Sequence, residues 1–224
     1  MLDLVDESIS PSRSILDWSF QKEYKGSRTE KMARQKEFNR EEALHRAMEV
    51  FWMHGYEGTS IQDLVEHMRI NRQSIYDTFG DKHSLFLQAL DRYREIQSRK
   101  VFEILDRPGS VKRNLKLLFQ EVVDKSLSDE GRRGCFVGNA MSELSGRCKE
   151  TAGRTCNSVA AAERTFQHAL QRGREQGELS AVRDTRAVAR FLYCNLQGLL
   201  LLGKATRDRK LLTDIVKVTL SVLD

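Results

Sequence analysis

From residue 59 the chain reads Thr59-Ser60-Ile61-Gln62-Asp63-Leu64-Val65-Glu66-His67-Met68-Arg69-Ile70-Asn71-Arg72-Gln73-Ser74-Ile75-Tyr76-Asp77-Thr78-Phe79-Gly80-Asp81-Lys82. Ile61, Leu64, Val65 and Met68 recur at helical spacing, and so do Ile75 and Phe79, four residues apart. Thr59 with Gln62 three residues on forms a capping-box pattern that opens the first helix. Arg69-Ile70 makes a turn, and Asn71 is a good N-cap for a second helix over Arg72 to Phe79. Two short helices joined by about three residues have the dimensions of a helix-turn-helix. The second helix of such a unit must hold its back against its neighbours and present polar tips to base edges. Ile75 and Phe79 supply the back, and Arg72, Gln73, Ser74, Asp77 and Thr78 supply the polar side.

Upstream, Asn39 and Glu42 suggest another capping box, followed by Ala43, Ala47, Val50 and Phe51 on one face and a stop at Gly55. Phe51, Trp52 and Tyr56 are read as core aromatics at helical spacing. Downstream, Asp81 caps a long helix from Lys82 to about Leu105, with Leu85, Ala89, Tyr93 and Ile96 as its apolar face. That helix would be roughly 35 Å long. Pro108-Gly109 breaks the pattern. Further amphipathic helices follow around Leu115–Val122, from Cys135, over about Glu150 to Gln176, from Asp184 to Leu202, and from Arg207 to Leu223. No segment alternates with period two over a useful length. The expected fold is therefore all-α, a three-helix helix-turn-helix domain followed by a helical bundle.

The 224 residues include 2 prolines, 31% charged residues and 40% hydrophobic residues. That is enough chain to bury a core and too apolar for disorder throughout. The apolar run Leu199–Leu202, which no other run exceeds, is far too short for a membrane span. The N-terminus, with Asp3, Asp6 and Glu7, does not read as a secretory signal. Cys135, Cys148, Cys156 and Cys194 show neither CxxC nor zinc spacing. No metal and no cofactor is expected, and a reducing cytoplasm is the simple location. A net charge of +5 favours an anionic partner only mildly. From Lys31 to Arg94 ten basic residues face ten acidic ones, so pattern rather than charge carries the DNA reading. Residues 1–36 read as a loose arm, in which Ile15, Trp18 and Phe20 could dock. Met32 is an alternative start.

Phe51-Trp52-Met53-His54-Gly55-Tyr56-Glu57-Gly58-Thr59-Ser60-Ile61, with the stretch from Ile70 to Lys82, resembles the DNA-binding signature of the tetracycline-repressor family. The resemblance covers about residues 38–90. It implies a homodimer with a DNA-binding domain at 37–81 and a ligand-binding and dimerisation domain at 82–224. It implies phosphate contacts from Thr59 at a helix start, from the Tyr76 hydroxyl and from Lys82. It also implies base readout by Arg72, Gln73 and Ser74. Two positions depart from the family pattern. Arg69 stands where Gly is common, which demands positive φ of a non-glycine residue or adds a phosphate contact. Gln73 stands where a small residue is common, which changes the operator preference.

The resemblance further implies a small-molecule inducer that shifts the recognition helices out of register with their half-sites. Candidate pocket residues are Phe119, Val123, Phe136, Met141, Phe166 and Tyr193, each of which could equally be core. Cys135, in Arg132-Arg133-Gly134-Cys135-Phe136, is similar to the sensing cysteine of a family branch that responds to electrophiles or oxidants. It could instead be a small buried hydrophobe. Cys148 is a candidate resolving thiol. The faces Val188–Leu202 and Leu211–Val222 are expected to pair across a dimer, with Gly198 and Gly203 allowing close approach. No nucleophile–base pair, phosphate loop or metal set supports an enzyme. A helical interaction protein that binds no DNA is the remaining alternative.

Overall fold

A computed structural model describes residues 38–179, Val182 and 184–224. The arm at 1–36, with Ile15, Trp18 and Phe20, lies outside the described residues. Among the described residues there is no strand, as the absence of a two-residue period requires. The helices are α1 (Arg40–His54), α2 (Ile61–Met68), α3 (Arg72–Phe79), α4 (Lys82–Leu105), α5 (Val111–Leu127), α6 (Phe136–Leu144), α7 (Lys149–Glu175), α8 (Thr185–Leu202) and α9 (Arg209–Leu220). A 3₁₀ turn, Asp129–Arg133, joins α5 to α6.

Local chemistry sets most boundaries. The side chains of Asn39, Asn71 and Asp81 accept backbone N–H groups at the starts of α1, α3 and α4, satisfying donors that a helix start leaves free. Glu42, the expected reciprocal partner of Asn39, pairs with Arg46 instead. The second capping box forms one residue later than the sequence suggests. Ser60 and Asp63 cap each other, with Asp63 N–H donating to Ser60 Oγ at 3.1 Å and Ser60 N–H donating to Asp63 Oδ2 at 2.8 Å. Thr59 is withdrawn from this role because its hydroxyl donates to the Gly55 carbonyl at 2.6 Å. Gln62 turns along the helix to Glu66.

Two cores result. The first joins α1, α2, α3 and the N-terminal half of α4 to α6. Phe51 meets Phe86 edge-on at 5.3 Å, and Phe86 meets Phe136 edge-on at 5.6 Å. Phe136 in turn meets Tyr93 at 5.7 Å, and Tyr93 meets Trp52 at 5.0 Å. Such pairs add to area burial through ring quadrupoles. The second core holds the end of α4 with α5, α7, α8 and α9, around Leu115, Phe119, Phe166, Leu170 and Leu192. The chain boundary at 81/82 therefore does not divide the cores. α4 enters both, and α6 packs with the helix-turn-helix.

Arg69 ends α2 at φ 57°, ψ 36°. It is the one non-glycine residue with positive φ among those described. A left-handed side-chain-bearing residue costs about 1–2 kcal/mol, partly offset because glycine adds unfolded-state entropy of about 0.4–1 kcal/mol. Arg69→Gly is therefore expected to raise the unfolding free energy by up to about 1 kcal/mol. Urea titration with an unchanged m-value checks this.

Candidate functional site

α3 is amphipathic in the required sense. Ile75 and Phe79 are buried, while Arg72, Gln73 and Asp77 are exposed. Tyr76 is 41% exposed, so its hydroxyl is presented outward from the same helix. Gln73 Nε2 donates to Asp77 Oδ1 at 2.8 Å, which holds the amide along the helix in the absence of another partner. Ser74 is half-buried, and its N–H is taken by the Asn71 cap. Lys82 lies in the first turn of α4, its Nζ 4.4 Å above the Tyr56 ring. That contact engages the ammonium itself on the ring face, in a cation–π pair. Thr59 does not join this face. It is 1% exposed and its hydroxyl is engaged with Gly55, so the expected hydroxyl–phosphate contact is corrected. The exposed hydroxyl at the start of α2 belongs to Ser60.

The outward face is clamped from behind by α6. Glu143 accepts the Tyr56 N–H at 3.0 Å and the Glu57 N–H at 2.8 Å. Trp52 Nε1 donates to the Gly134 carbonyl, just before α6, at 3.2 Å. Gly55 is needed at this clamp. Its φ is 76°, and a Cβ there would lie 2.9 Å from Glu143 Oε2. Sequence reasoning missed Glu143 because its partners are backbone groups far away in the chain. The reading of Phe51, Trp52 and Tyr56 as packed aromatics agrees with their contacts.

At the other end of α6, Cys135 is the N-cap, and its sulfur accepts the Gly138 N–H at 3.4 Å. It lines a cavity of about 370 Å³ together with Tyr93, Phe166, Tyr193 and Leu196. It also lines a larger groove of about 1050 Å³, where Met141, Tyr193 and Gly138 lie. Three of the expected pocket residues, Phe119, Val123 and Phe136, are core residues that line neither space. Their helical spacing satisfied packing first. Burial pushes the Tyr93 phenol well above its ordinary value, and it pushes Tyr193 up to about 12. The cavity thus brings two phenols and a thiol together among mostly apolar residues, with Arg94, Lys100, Glu121, Asp124 and Lys125 also in its lining.

Cys148, the candidate resolving thiol, lies at the start of α7. Cys148 caps α7 and lies 3.4 Å from His83 Nε2, while Glu150 Oε2 lies 3.3 Å from the same nitrogen. The adjacent Thr151 hydroxyl and amide hold the Cys148 thiol below the usual cysteine range. No spacing rule could find this trio, since His83 and Cys148 are distant in sequence.

The matches to known proteins agree with this architecture. The sequence model of "Bacterial regulatory proteins, tetR family" matches residues 43–89, and that of the "Tetracyclin repressor-like, C-terminal domain" matches residues 111–218. The HTH-type transcriptional regulator YezE of Bacillus subtilis is 42% identical over 86% of this chain and 100% of its own. The HTH-type transcriptional repressor ComR of Escherichia coli is 32% identical over 84% of this chain and 90% of its own. A solved cysteine mutant of the TetR family regulator CifR, complexed with operator DNA, is 34% identical, covers 84% of this chain and 98% of its own, and superposes with a TM-score of 0.74.

Glu143→Gln would retain one acceptor and turn an amide N–H₂ against a backbone donor. Hydrogen bonds to a charged group contribute about 1.5–3 kcal/mol, so a loss of about 1–3 kcal/mol is expected. Faster amide exchange at Tyr56 and Glu57, read by NMR, localises the effect.

Proposed function

Because the chain belongs to the tetracycline-repressor family and is a DNA-binding transcriptional regulator, we propose that it acts as a homodimeric, ligand-released repressor of a pseudo-palindromic operator in the cytoplasm. The observation that carries this reading is the outward face of α3. Arg72 and Gln73 stand exposed beside Tyr76 and Lys82, on a helix whose back is fixed by Ile75 and Phe79. In this reading Arg72, Gln73 and Ser74 meet base edges. Tyr76, Lys82 and the Ser60 end of α2 meet phosphates and set the register.

The dimer is assigned to α8 and α9. Leu201 is 67% exposed and Val218 68% exposed, with Phe191 and Leu211 also uncovered. An apolar surface of this kind calls for a partner, and symmetric pairing of two helices from each subunit gives a four-helix bundle. Gly203 serves another purpose than the expected dimer approach. A Cβ there would meet Ser126 of α5 at 2.6 Å within the same chain.

The inducer is assigned to the cavity of about 370 Å³. Its chemistry fits a small, largely apolar molecule with a hydrogen-bond acceptor directed at Tyr193. Occupation would act on α6, whose Glu143 holds the α1–α2 turn. It would thereby change the spacing of the two recognition helices. A second reading has its own supporting observation. Cys135 lines both hollow spaces and caps α6, so an adduct at its sulfur would remove the cap and disturb the same helix.

Two experiments test these readings. The double substitution Tyr76→Ala with Lys82→Ala is expected to weaken operator binding at least about 100-fold in gel shifts. The salt slope should fall by about two, one phosphate per Lys82, with fold and dimer retained. An unchanged affinity in the folded variant removes Tyr76 and Lys82 from the DNA contact, and absence of operator binding in the parent protein favours the helical interaction protein that binds no DNA. For the thiol reading, N-ethylmaleimide is expected to release operator from the parent protein with a mass adduct on Cys135, and to leave Cys135→Ser bound. Equal release from the serine variant removes Cys135 from the mechanism.

A further inference from the structure

His83, Cys148 and Glu150 offer three electron-pair donors that lie within 4.8 Å of one another, at the point where α4 begins and α7 begins. His83 Nε2 is 3.4 Å from the Cys148 sulfur and 3.3 Å from Glu150 Oε2. Both neighbours face the same ring nitrogen. The trio is therefore not a nucleophile–base–carboxylate relay, in which thiol and carboxylate take opposite ring nitrogens. That one nitrogen meets a sulfur and a carboxylate oxygen at once, with donor and acceptor roles set by the tautomer. A cation satisfies all three at once.

The dimensions agree with this. A tetrahedral zinc ion bonded at about 2.3 Å to sulfur and about 2.0–2.1 Å to nitrogen and oxygen has ligand–ligand edges of about 3.3–3.6 Å. The nitrogen–sulfur and nitrogen–oxygen separations, 3.4 Å and 3.3 Å, match, and the sulfur–oxygen pair lies within 4.8 Å. We infer that His83, Cys148 and Glu150 form a binding site for a zinc-like divalent cation, with a fourth position left to water. A thiolate, an imidazole and a carboxylate together suit a borderline-soft ion rather than magnesium or calcium.

The surrounding structure holds two of the ligands in place. The His83 ring meets Tyr56 edge-on at 5.7 Å and stacks on Phe86 at 6.4 Å. Cys148 is fixed as the α7 N-cap, its sulfur accepting the Thr151 N–H at 3.5 Å. Glu150 is exposed and free to rotate into the coordination shell. On binding, the S–H bond breaks, the sulfur–metal bond forms and the proton passes to solvent. The ion would tie the start of α7 to the turn of α4 that carries Lys82. That regulatory consequence rests on the DNA reading above, whereas the binding itself does not.

The test titrates the metal-free full chain with Co²⁺ and follows thiolate-to-cobalt charge transfer in the near ultraviolet, with Zn²⁺ added to displace it. One equivalent per chain is expected, with the band lost in Cys148→Ser. Even indirect supports of a metal site are worth about 10–100-fold in affinity, so Glu150→Gln should bind at least about tenfold more weakly. Glu150 is exposed, so this variant keeps the fold and removes only the ligand. Absence of the band, or a band that persists unchanged in both variants, overturns the site. No DNA is present, so the result stands apart from the operator reading.

Discussion

Phe86 is the residue on which the two halves of this molecule depend. It takes Phe51 of α1 edge-on from one side and Phe136 of α6 from the other, and it is fully buried between them. Through this single side chain α4 acquires a fixed angle to the helix-turn-helix, and α6 acquires a fixed place beside both. Close-packed interiors transmit displacement because they have few alternative arrangements. A shift of α6 is therefore felt at α1 and, through α1, at α2 and α3.

The polar contacts follow from that packing. Once Phe136 anchors the start of α6, Glu143 arrives two turns later beside the Gly55 corner and takes two amides that no helix uses. Trp52, held against Tyr93, reaches back to the Gly134 carbonyl. Cys135 sits between these two anchors and opens onto the hollow spaces. One short helix, bonded at both ends, thus lies between the cavity and the helix-turn-helix.

The division between what could be read from sequence and what could not is a division between local and distant chemistry. Asn71, Asp81 and the Ile75–Phe79 pair act within a turn of themselves, so α3 and the start of α4 were legible. The positive φ at Arg69 was legible for the same reason, since the turn demands it. The Thr59 reading failed by one residue because Ser60 offers an equal hydroxyl, and only the Gly55 carbonyl decides between them. Phe119, Val123 and Phe136 carry the same apolar signature as Phe166, and only the path of neighbouring helices separates wall from core. Glu143 and the His83–Cys148–Glu150 trio join residues tens of positions apart, and no spacing pattern encodes them.

The Glu143 clamp also bears on modularity. Regulators of this architecture invite the exchange of reading heads between relatives, by cutting the chain just after the third helix. Here such a cut would leave Gly55, Tyr56 and Glu57 facing a foreign α6, and Trp52 without the Gly134 carbonyl. The transferable unit is discontinuous. It comprises the helix-turn-helix, the first turns of α4 and the whole of α6, and a chimera keeps these contacts only if all three travel together.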